Sequence, residues 1–183
     1  MDKNYIYKNI FITGRRNCGK STLINEVLKE TNSNYSGYRT FPYKVEGKEA
    51  GYYLKSLQED NISSCIISVK LGEGRVKPII ENFNLTGCQI LKNSIEDKDS
   101  NIIVLDEIGF LENDAKKFKN EIIKCIQSNK LVLGVLKKQD TELFSNIVHR
   151  KDTLIIDIEN IPCKIRTELK KFLVNIIKTY KNM

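Results

Sequence analysis

One short segment near the start of the chain constrains its fold more than any other: it reads Gly14-Arg15-Arg16-Asn17-Cys18-Gly19-Lys20-Ser21. This sequence matches the pattern G-x-x-x-x-G-K-[S/T]. The glycines of such a pattern let the backbone turn its N–H groups inward around an anion. A helix that begins directly after the loop adds the positive end of its dipole. The segment therefore predicts a loop that holds phosphate groups.

The flanking segments agree with this prediction. Asn9–Thr13 is short, apolar and β-branched, which is typical of a buried strand. From Lys20 to about Glu30, apolar residues recur at helical spacing. A strand, a glycine-containing loop and a helix in this order form the context that a phosphate loop requires. The expected ligand is a nucleoside triphosphate with Mg²⁺.

Most of the predicted nucleotide contacts lie in this loop. Lys20 would place its charge on the outer phosphates, and Ser21 would offer its hydroxyl to Mg²⁺. We interpret Cys18 as a tolerated small side chain, with a reactive thiol as the alternative. Asn160 either reads a base edge or caps the helix that begins near Pro162. The predicted nucleotide-binding residues are Gly14, Arg15, Arg16, Asn17, Cys18, Gly19, Lys20, Ser21, Thr22 and Asn160.

Two acidic residues follow a second apolar strand. Ile102–Leu105 predicts a buried strand, and Asp106 and Glu107 come directly after it. An acid at such a strand end holds magnesium in phosphate-loop enzymes, so Asp106 and Ser21 are the predicted metal residues. Glu107 is then predicted to polarise a water for attack on the γ-phosphate. The predicted catalytic residues are Lys20 and Glu107.

A positive charge is also needed at the transition state. The sequence offers four candidates and does not choose among them: Arg15, Arg16, Lys137 and Arg150. Four tyrosines either stack on a base or pack within strands, and we favour strand packing. They are Tyr38, Tyr43, Tyr52 and Tyr53.

The order of elements predicts an α/β fold, a three-layer P-loop sandwich with a mainly parallel sheet. A β-hairpin is expected near residues 35–57, at the sheet edge or over the site, with a loop over Leu71–Lys77. We expect a single nucleotide-binding domain over residues 1–183. The remaining predicted strands are Ser63–Val69, Leu131–Leu136 and Thr153–Ile158, and the remaining predicted helices are Glu81–Glu96, Asp114–Ser128, Thr141–Val148 and one beginning at Pro162.

Composition narrows the class of protein. The longest apolar runs are far too short to cross a bilayer, and the start of the chain lacks the order of a signal peptide. Five scattered cysteines favour reduced thiols, so we expect a cytoplasmic protein. The net charge of +7 attracts nucleic acid only non-specifically, so nucleic acid is not the expected ligand. A protein partner is left open.

With both motifs in place, most of the chain resembles the small P-loop nucleoside-triphosphatase family of the cancer-related and thermophile type. The segments that carry the resemblance are Phe11–Leu23, Gly37-Tyr38-Arg39-Thr40, Gly51-Tyr52, Asp106-Glu107-Ile108-Gly109 with Leu111-Glu112, Leu131–Val135 and Glu159-Asn160. The resemblance implies a magnesium-dependent hydrolase of broad nucleotide choice. It places the catalytic glutamate at Glu107, in agreement with the interpretation above.

Three positions depart from the family pattern. Pro42 stands where a glutamate is usual, Phe110 where a lysine is expected, and Ile161 where an arginine usually follows the late asparagine. The loss of two basic side chains predicts weaker turnover or a changed nucleotide preference.

Two alternatives to a hydrolase remain. A nucleoside or nucleotide kinase shares the same core, but it generally brings several arginines on a lid, and Thr141–Arg150 contains one. A slow nucleotide-dependent switch that acts through a protein partner is the other alternative, and the missing basic residues favour it.

Overall fold

The computed structural model describes residues 7–58, 64–72 and 74–181. The strands are β1 Asn9–Thr13, β2 Tyr35–Val45, β3 Lys48–Ser56, β4 Ser64–Gly72, β5 Arg75–Pro78, β6 Ile102–Ile108, β7 Leu131–Leu136 and β8 Thr153–Asp157. The helices are α1 Lys20–Thr31, α2 Ile80–Asn82, α3 Cys88–Glu96, α4 Lys116–Gln127, α5 Glu142–Val148 and α6 Cys163–Lys181, and a π-helical turn, Phe83–Gly87, joins α2 to α3.

All the described strands form one sheet in the order β5-β4-β3-β2-β6-β7-β1-β8. Strands β2, β6, β7, β1 and β8 run parallel, as expected for strands that alternate with helices. Strands β2 to β5 form an antiparallel meander at one side of the sheet. The α/β class and the mainly parallel sheet predicted from the sequence are confirmed.

The predicted hairpin is present, but it is an internal part of the sheet and does not lie at the sheet edge. Its strands are β2 and β3, and its turn contains Glu46 and Gly47, both with positive φ. Strand β2 also pairs with β6, so the hairpin joins the parallel half of the sheet directly. The edge lies further out, at β5.

The loop predicted over Leu71–Lys77 is wrong at both ends, because Leu71 and Gly72 belong to β4. Residues from Arg75 onward form β5, which pairs with β4 from Gly72 back to Ser68. Four residues are too few to show a convincing two-residue period, and Gly72 beside Gly74 indicates a turn. Backbone pairing with β4 decides the conformation here.

The helix predicted over Glu81–Glu96 is interrupted by the π-helical turn. Gly87 ends that turn, and a Cβ added there would lie 2.9 Å from the ring of Phe118. Glycine therefore admits the close approach of α4. The other predicted helices and strands agree with the structure to within two residues at each end, except that β4 and β6 each continue three residues beyond their predicted ends, to Gly72 and Ile108, so Asp106 and Glu107 lie within β6. Ser63 and residues 1–6 lie outside the described ranges.

Two apolar layers cover the sheet, which gives the predicted three-layer sandwich. One layer packs α3, α4 and α5 against side chains such as Phe11 and Leu105. The other packs α1 and α6 against Ile10, Ile12 and Val104. Within the described ranges, no helix is both long and apolar enough to cross a membrane.

Candidate nucleotide-binding and catalytic site

A cleft of about 1070 Å³ lies at the carboxyl ends of the parallel strands. One wall is formed by the loop between β1 and α1, and the floor by the end of β6. The end of β7 and the meander complete it. Ligands of open α/β sheets bind outside the carboxyl ends of the strands, so this cleft is where a nucleotide is expected.

The loop takes the backbone form that the glycine pattern predicts. Gly14, Asn17 and Gly19 all have positive φ, at 138°, 61° and 93°. A Cβ added to Gly14 would lie 3.0 Å from Cys18 Sγ and 3.2 Å from the backbone N of Glu159. A side chain at position 14 would therefore be both strained and crowded.

Arg166, on α6, holds this loop through a contact that no sequence motif predicts. Its Nη1 donates to the carbonyl of Cys18 at 2.8 Å. Its Nη2 and Nε donate to the carbonyls of Ile158 and Ile161 at 3.1 and 3.0 Å. One guanidinium on α6 thus ties the phosphate loop to the segment that follows β8.

Lys20 lies at the base of the loop and is 8% exposed. Its Nζ donates to the carbonyl of Arg15 at 2.6 Å and to that of Gly14 at 3.0 Å. The ammonium is thereby held inside the ring of main-chain groups that would surround a phosphate.

Ser21 and Asp106 meet across the floor of the cleft, although 85 residues separate them. Ser21 Oγ donates to Asp106 Oδ1 at 3.2 Å. Burial raises the pKa of Asp106 above its ordinary value, and the neighbouring charge of Glu107 adds to that rise. The hydroxyl of Ser21 and the charge of Arg39 act in the opposite direction.

This pair fits a magnesium ion that takes most of its ligands from phosphate and water. Mg²⁺ is bound through one or two protein oxygens beside a nucleotide and keeps several waters. Among residues 7–58, 64–72 and 74–181, no group of three or more histidine, cysteine or acidic side chains could hold a metal alone. The oxygens of Ser21 and Asp106 are therefore the predicted donors that the fold brings together.

Glu107 stands on a strained stretch of backbone. Its φ is +64°, and the pairing of β6 with β7 shifts register between Leu105 and Ile108. A non-glycine residue in this region costs free energy that the surrounding structure must supply. The bulge lets Asp106 and Glu107 both line the cleft, whereas adjacent residues of a regular strand point to opposite faces.

Lys137 extends from the end of β7 to meet this glutamate. Its Nζ lies 3.3 Å from Glu107 Oε1 and 5.8 Å from the centre of the Phe110 ring. Of the four cationic candidates, it is the one beside the predicted base. Phe110, which replaces an expected lysine, thus contributes an aromatic face to the lysine of the neighbouring strand.

The other cationic candidates pair with acids other than Glu107. Arg15 pairs with Glu159 at 2.7 Å, and Arg16 with Glu49 at 3.8 Å, so each loop arginine contacts a different wall of the cleft. Arg150 bonds Asp152 through two nitrogens, just before β8 begins. Since β8 runs parallel to β1, that position is at the opposite end of the sheet from the cleft.

Glu112 is a buried acid that the motif analysis did not include in the site. It is 2% exposed, and its carboxylate accepts the N–H of Gly109 in the turn after β6. Burial raises the pKa of Glu112 to about 7. The side chain holds the turn that carries Phe110 and Leu111 into the cleft wall.

The remaining predicted residues divide between the cleft and its surroundings. Gly14, Arg15, Arg16, Asn17, Gly19, Lys20, Ser21, Thr22, Asp106 and Glu107 line the cleft. Cys18 and Asn160 are not in its lining, and Asn160 is exposed. Tyr38 is buried against Phe118, as strand packing predicts, whereas Tyr52 lines the cleft.

The fold and the loop define the class of this protein. A phosphate loop between β1 and α1, with an acid on the strand β6 in reach of the loop serine, is the arrangement of P-loop nucleotide-binding proteins. The chain belongs to the NTPase family, whose model matches residues 9–171.

Relatives and solved structures agree with this family. The nucleoside-triphosphatase THEP1 of Methanocaldococcus jannaschii is 31% identical over 163 residues, which cover 82% of this chain and 95% of that protein. THEP1 of Thermotoga sp. strain RQ2 is 27% identical over 171 residues, which cover 92% of this chain and 95% of that protein. The solution structure of a human cancer-related nucleoside triphosphatase has the same fold, with a TM-score of 0.71, 21% identity and coverage of 94% of this chain and 98% of that one.

Proposed function

We propose that this protein is a magnesium-dependent nucleoside triphosphatase that hydrolyses the β–γ phosphate bond of ATP, GTP and other nucleoside triphosphates. The observation that supports it most is the 3.2 Å contact of Ser21 with Asp106, with Glu107 next to it in the same cleft. The relatives named nucleoside-triphosphatase THEP1 support the same activity.

The residues of the cleft divide the work of hydrolysis. Backbone N–H groups of the loop and the Lys20 ammonium bind the β- and γ-phosphates. Mg²⁺ held by Ser21 and Asp106 would neutralise phosphate charge. Glu107 accepts a proton from the water that attacks the γ-phosphorus. The bond from phosphorus to the bridging oxygen breaks, and the nucleoside diphosphate leaves with that oxygen.

Lys137 has two roles in this proposal. Its ion pair orients the Glu107 carboxylate, and its charge stabilises the negative charge that develops during phosphoryl transfer. Directly after β7, it supplies the positive charge that Phe110 does not provide.

Phosphate release from ATP, GTP, CTP and UTP, with and without Mg²⁺, tests the proposal. We expect phosphate release to require Mg²⁺ and to be abolished by Asp106→Asn. Release that continues unchanged in EDTA would exclude the metal role of Ser21 and Asp106.

The same assay separates the alternatives. A kinase needs an acceptor, so release that is unchanged by added nucleosides and nucleoside monophosphates argues against it. The structure gives a kinase lid no support, because Arg150 bonds Asp152 away from the cleft. A slow switch would show release that rises only with a partner, which turnover by the purified chain alone would exclude.

A further inference from the structure

The meander has one open face, on the side of the sheet where α1 and α6 cover the parallel strands. Gly37 of β2 pairs with Val104 of β6, and Val104 packs into the layer of α1 and α6. Because side chains alternate along a strand, Arg39 and Phe41 lie on that same side. The opposite side of the meander, with Tyr38 and Leu54, is buried under the other layer.

Aromatic and apolar side chains form the middle row of this open face. Phe41, Tyr53 and Ile66 are direct cross-strand partners on β2, β3 and β4. The rings of Phe41 and Tyr53 stack with centroids 5.5 Å apart and planes 27° from parallel. Phe41 is 37% exposed and Ile66 43% exposed, so the row presents a flat apolar surface to solvent.

Two further rows flank it. On one side, Arg39, Lys55 and Ser64 are cross-strand partners. On the other side, Val69 pairs with Lys77, and the row continues through Gly51 to Tyr43 on β2.

Tyr43 adds a third ring to the open face. A Cβ added to Gly51 would lie 2.7 Å from Tyr43 Cε1, so the ring of Tyr43 covers the backbone of its glycine partner. No acidic residue occupies any of the three rows, whereas Glu49 of the same meander contacts Arg16 and lines the cleft.

We infer that this open face binds single-stranded RNA, with bases stacked on Phe41, Tyr53 and Tyr43 and phosphates on Arg39, Lys55 and Lys77. Aromatic rings on neighbouring strands of an exposed sheet are the platform on which RNA-binding modules stack bases. Hydroxyl groups on the same face, on Ser64, Tyr43 and Tyr53, offer partners for the 2′-OH. A basic surface with no acid in its rows suits a polyanion and repels a basic protein partner.

The inference does not depend on the proposed hydrolysis. The rows lie on the other side of the sheet from Tyr52, which faces the cleft. Arg39 also acts on the pKa of Asp106, so the test variants leave Arg39 in place and change only residues that have no role in the cleft. The sequence did not show this cluster, because its members come from four strands and meet only through cross-strand pairing.

The full-length Phe41→Trp variant provides the most direct test, because the chain has no other tryptophan. Uridine 12-mer RNA should quench its fluorescence as bases stack on the indole. The dissociation constant should rise steeply with salt. Heparin should bind by charge without the same quenching. Deoxyuridine 12-mer should bind more weakly than the RNA, and equal binding would overturn the assignment to RNA.

Two surface variants test each part of the face by anisotropy of fluorescein-labelled RNA. Lys55→Gln with Lys77→Gln should weaken binding and reduce its salt dependence. Phe41→Leu with Tyr53→Leu should weaken binding at least about tenfold while nucleotide hydrolysis and thermal unfolding report an intact fold. The matched controls are Lys171→Gln and Phe172→Leu on α6, which change exposed residues outside the open face. Both control variants should bind RNA like wild type.

The contradicting results are equally definite. If the face variants and the α6 controls weaken RNA binding equally, RNA binds elsewhere on the protein or is attracted only by its net charge, and the inference is wrong. Absence of RNA binding at low salt would also overturn the inference. If the protein instead dimerises with rising concentration, and Phe41→Leu with Tyr53→Leu abolishes that dimerisation, then the open face is an interface between two copies of this chain.

Discussion

Glu107 and Lys137 form an ion pair of 3.3 Å between neighbouring strands, at the point where the pairing of β6 and β7 is interrupted. The interruption gives Glu107 its positive φ and brings it into the cleft beside Asp106. The pair joins the predicted base to the cation that best replaces the lysine missing at Phe110. We therefore expect this ion pair to contribute to turnover.

Lys137→Gln should lower kcat by roughly 10²-fold, in the range for loss of one transition-state donor, with a smaller change in KM. Lys137→Arg should restore part of the rate, since it keeps the charge and the ion pair. Steady-state phosphate release measures both. Lys116→Gln on the exposed side of α4 is the control, and a loss of rate there as large as at Lys137 would refute the specific role.

Lys20→Ala should abolish measurable nucleotide affinity. The substitution removes the one buried ammonium that the loop carbonyls of Gly14 and Arg15 hold in place for the outer phosphates. Titration calorimetry with a non-hydrolysable triphosphate measures the effect. Lys29→Ala, exposed on the same helix, should bind normally, and unchanged binding by Lys20→Ala would mean that the loop is not the phosphate site.

Arg166→Leu should destabilise the protein and loosen the loop. Three hydrogen bonds to the carbonyls of Cys18, Ile158 and Ile161 are lost, and bonds from a charged donor contribute about 1.5–3 kcal/mol. We expect the free energy of unfolding to fall by about 2 kcal/mol and KM to rise. Denaturant unfolding and kinetics check this against Lys164→Leu, an exposed residue of the same helix. Wild-type stability in Arg166→Leu would show that the loop does not need this anchor.

Glu112 makes stability depend on pH. Burial raises its pKa to about 7, above the unfolded value, so the folded state binds the proton more tightly. The contribution of Glu112 is therefore most favourable at low pH and is lost as pH rises towards and through about 7. Glu112→Gln keeps an oxygen for the Gly109 N–H and carries no charge to bury.

The stability of Glu112→Gln relative to wild type should thus increase between pH 5 and pH 8. Urea unfolding at both pH values measures the difference, and Glu142→Gln, at the start of α5 and exposed, should show no such trend. A relative stability of Glu112→Gln that does not change with pH would contradict the buried, proton-binding state of Glu112.

The parts of this structure that the sequence predicts are those fixed locally. The phosphate loop follows from glycines at set spacing, and the strands beside it follow from short apolar runs. Asp106 follows as the acid at a strand end. Each depends on neighbours within a few residues, which a linear pattern records.

The parts that it misses depend on residues far apart. Arg166 holds a carbonyl 148 positions away, and nothing in its own helix distinguishes it from other basic residues. Arg150 looked suitable as a cation until the direction of β8 placed it away from the cleft. The bulge at Glu107 and the short strand β5 are set by strand pairing, which periodicity does not reveal.

Glu107→Gln tests the central claim most directly, when single-turnover phosphate release and nucleotide binding are measured on the same preparation. The carboxamide keeps the shape of the side chain but cannot take the proton of the attacking water. The proposal predicts wild-type affinity for Mg²⁺-nucleotide and a rate lower by roughly 10²-fold or more. A variant that releases phosphate at the wild-type rate would show that Glu107 is not the base.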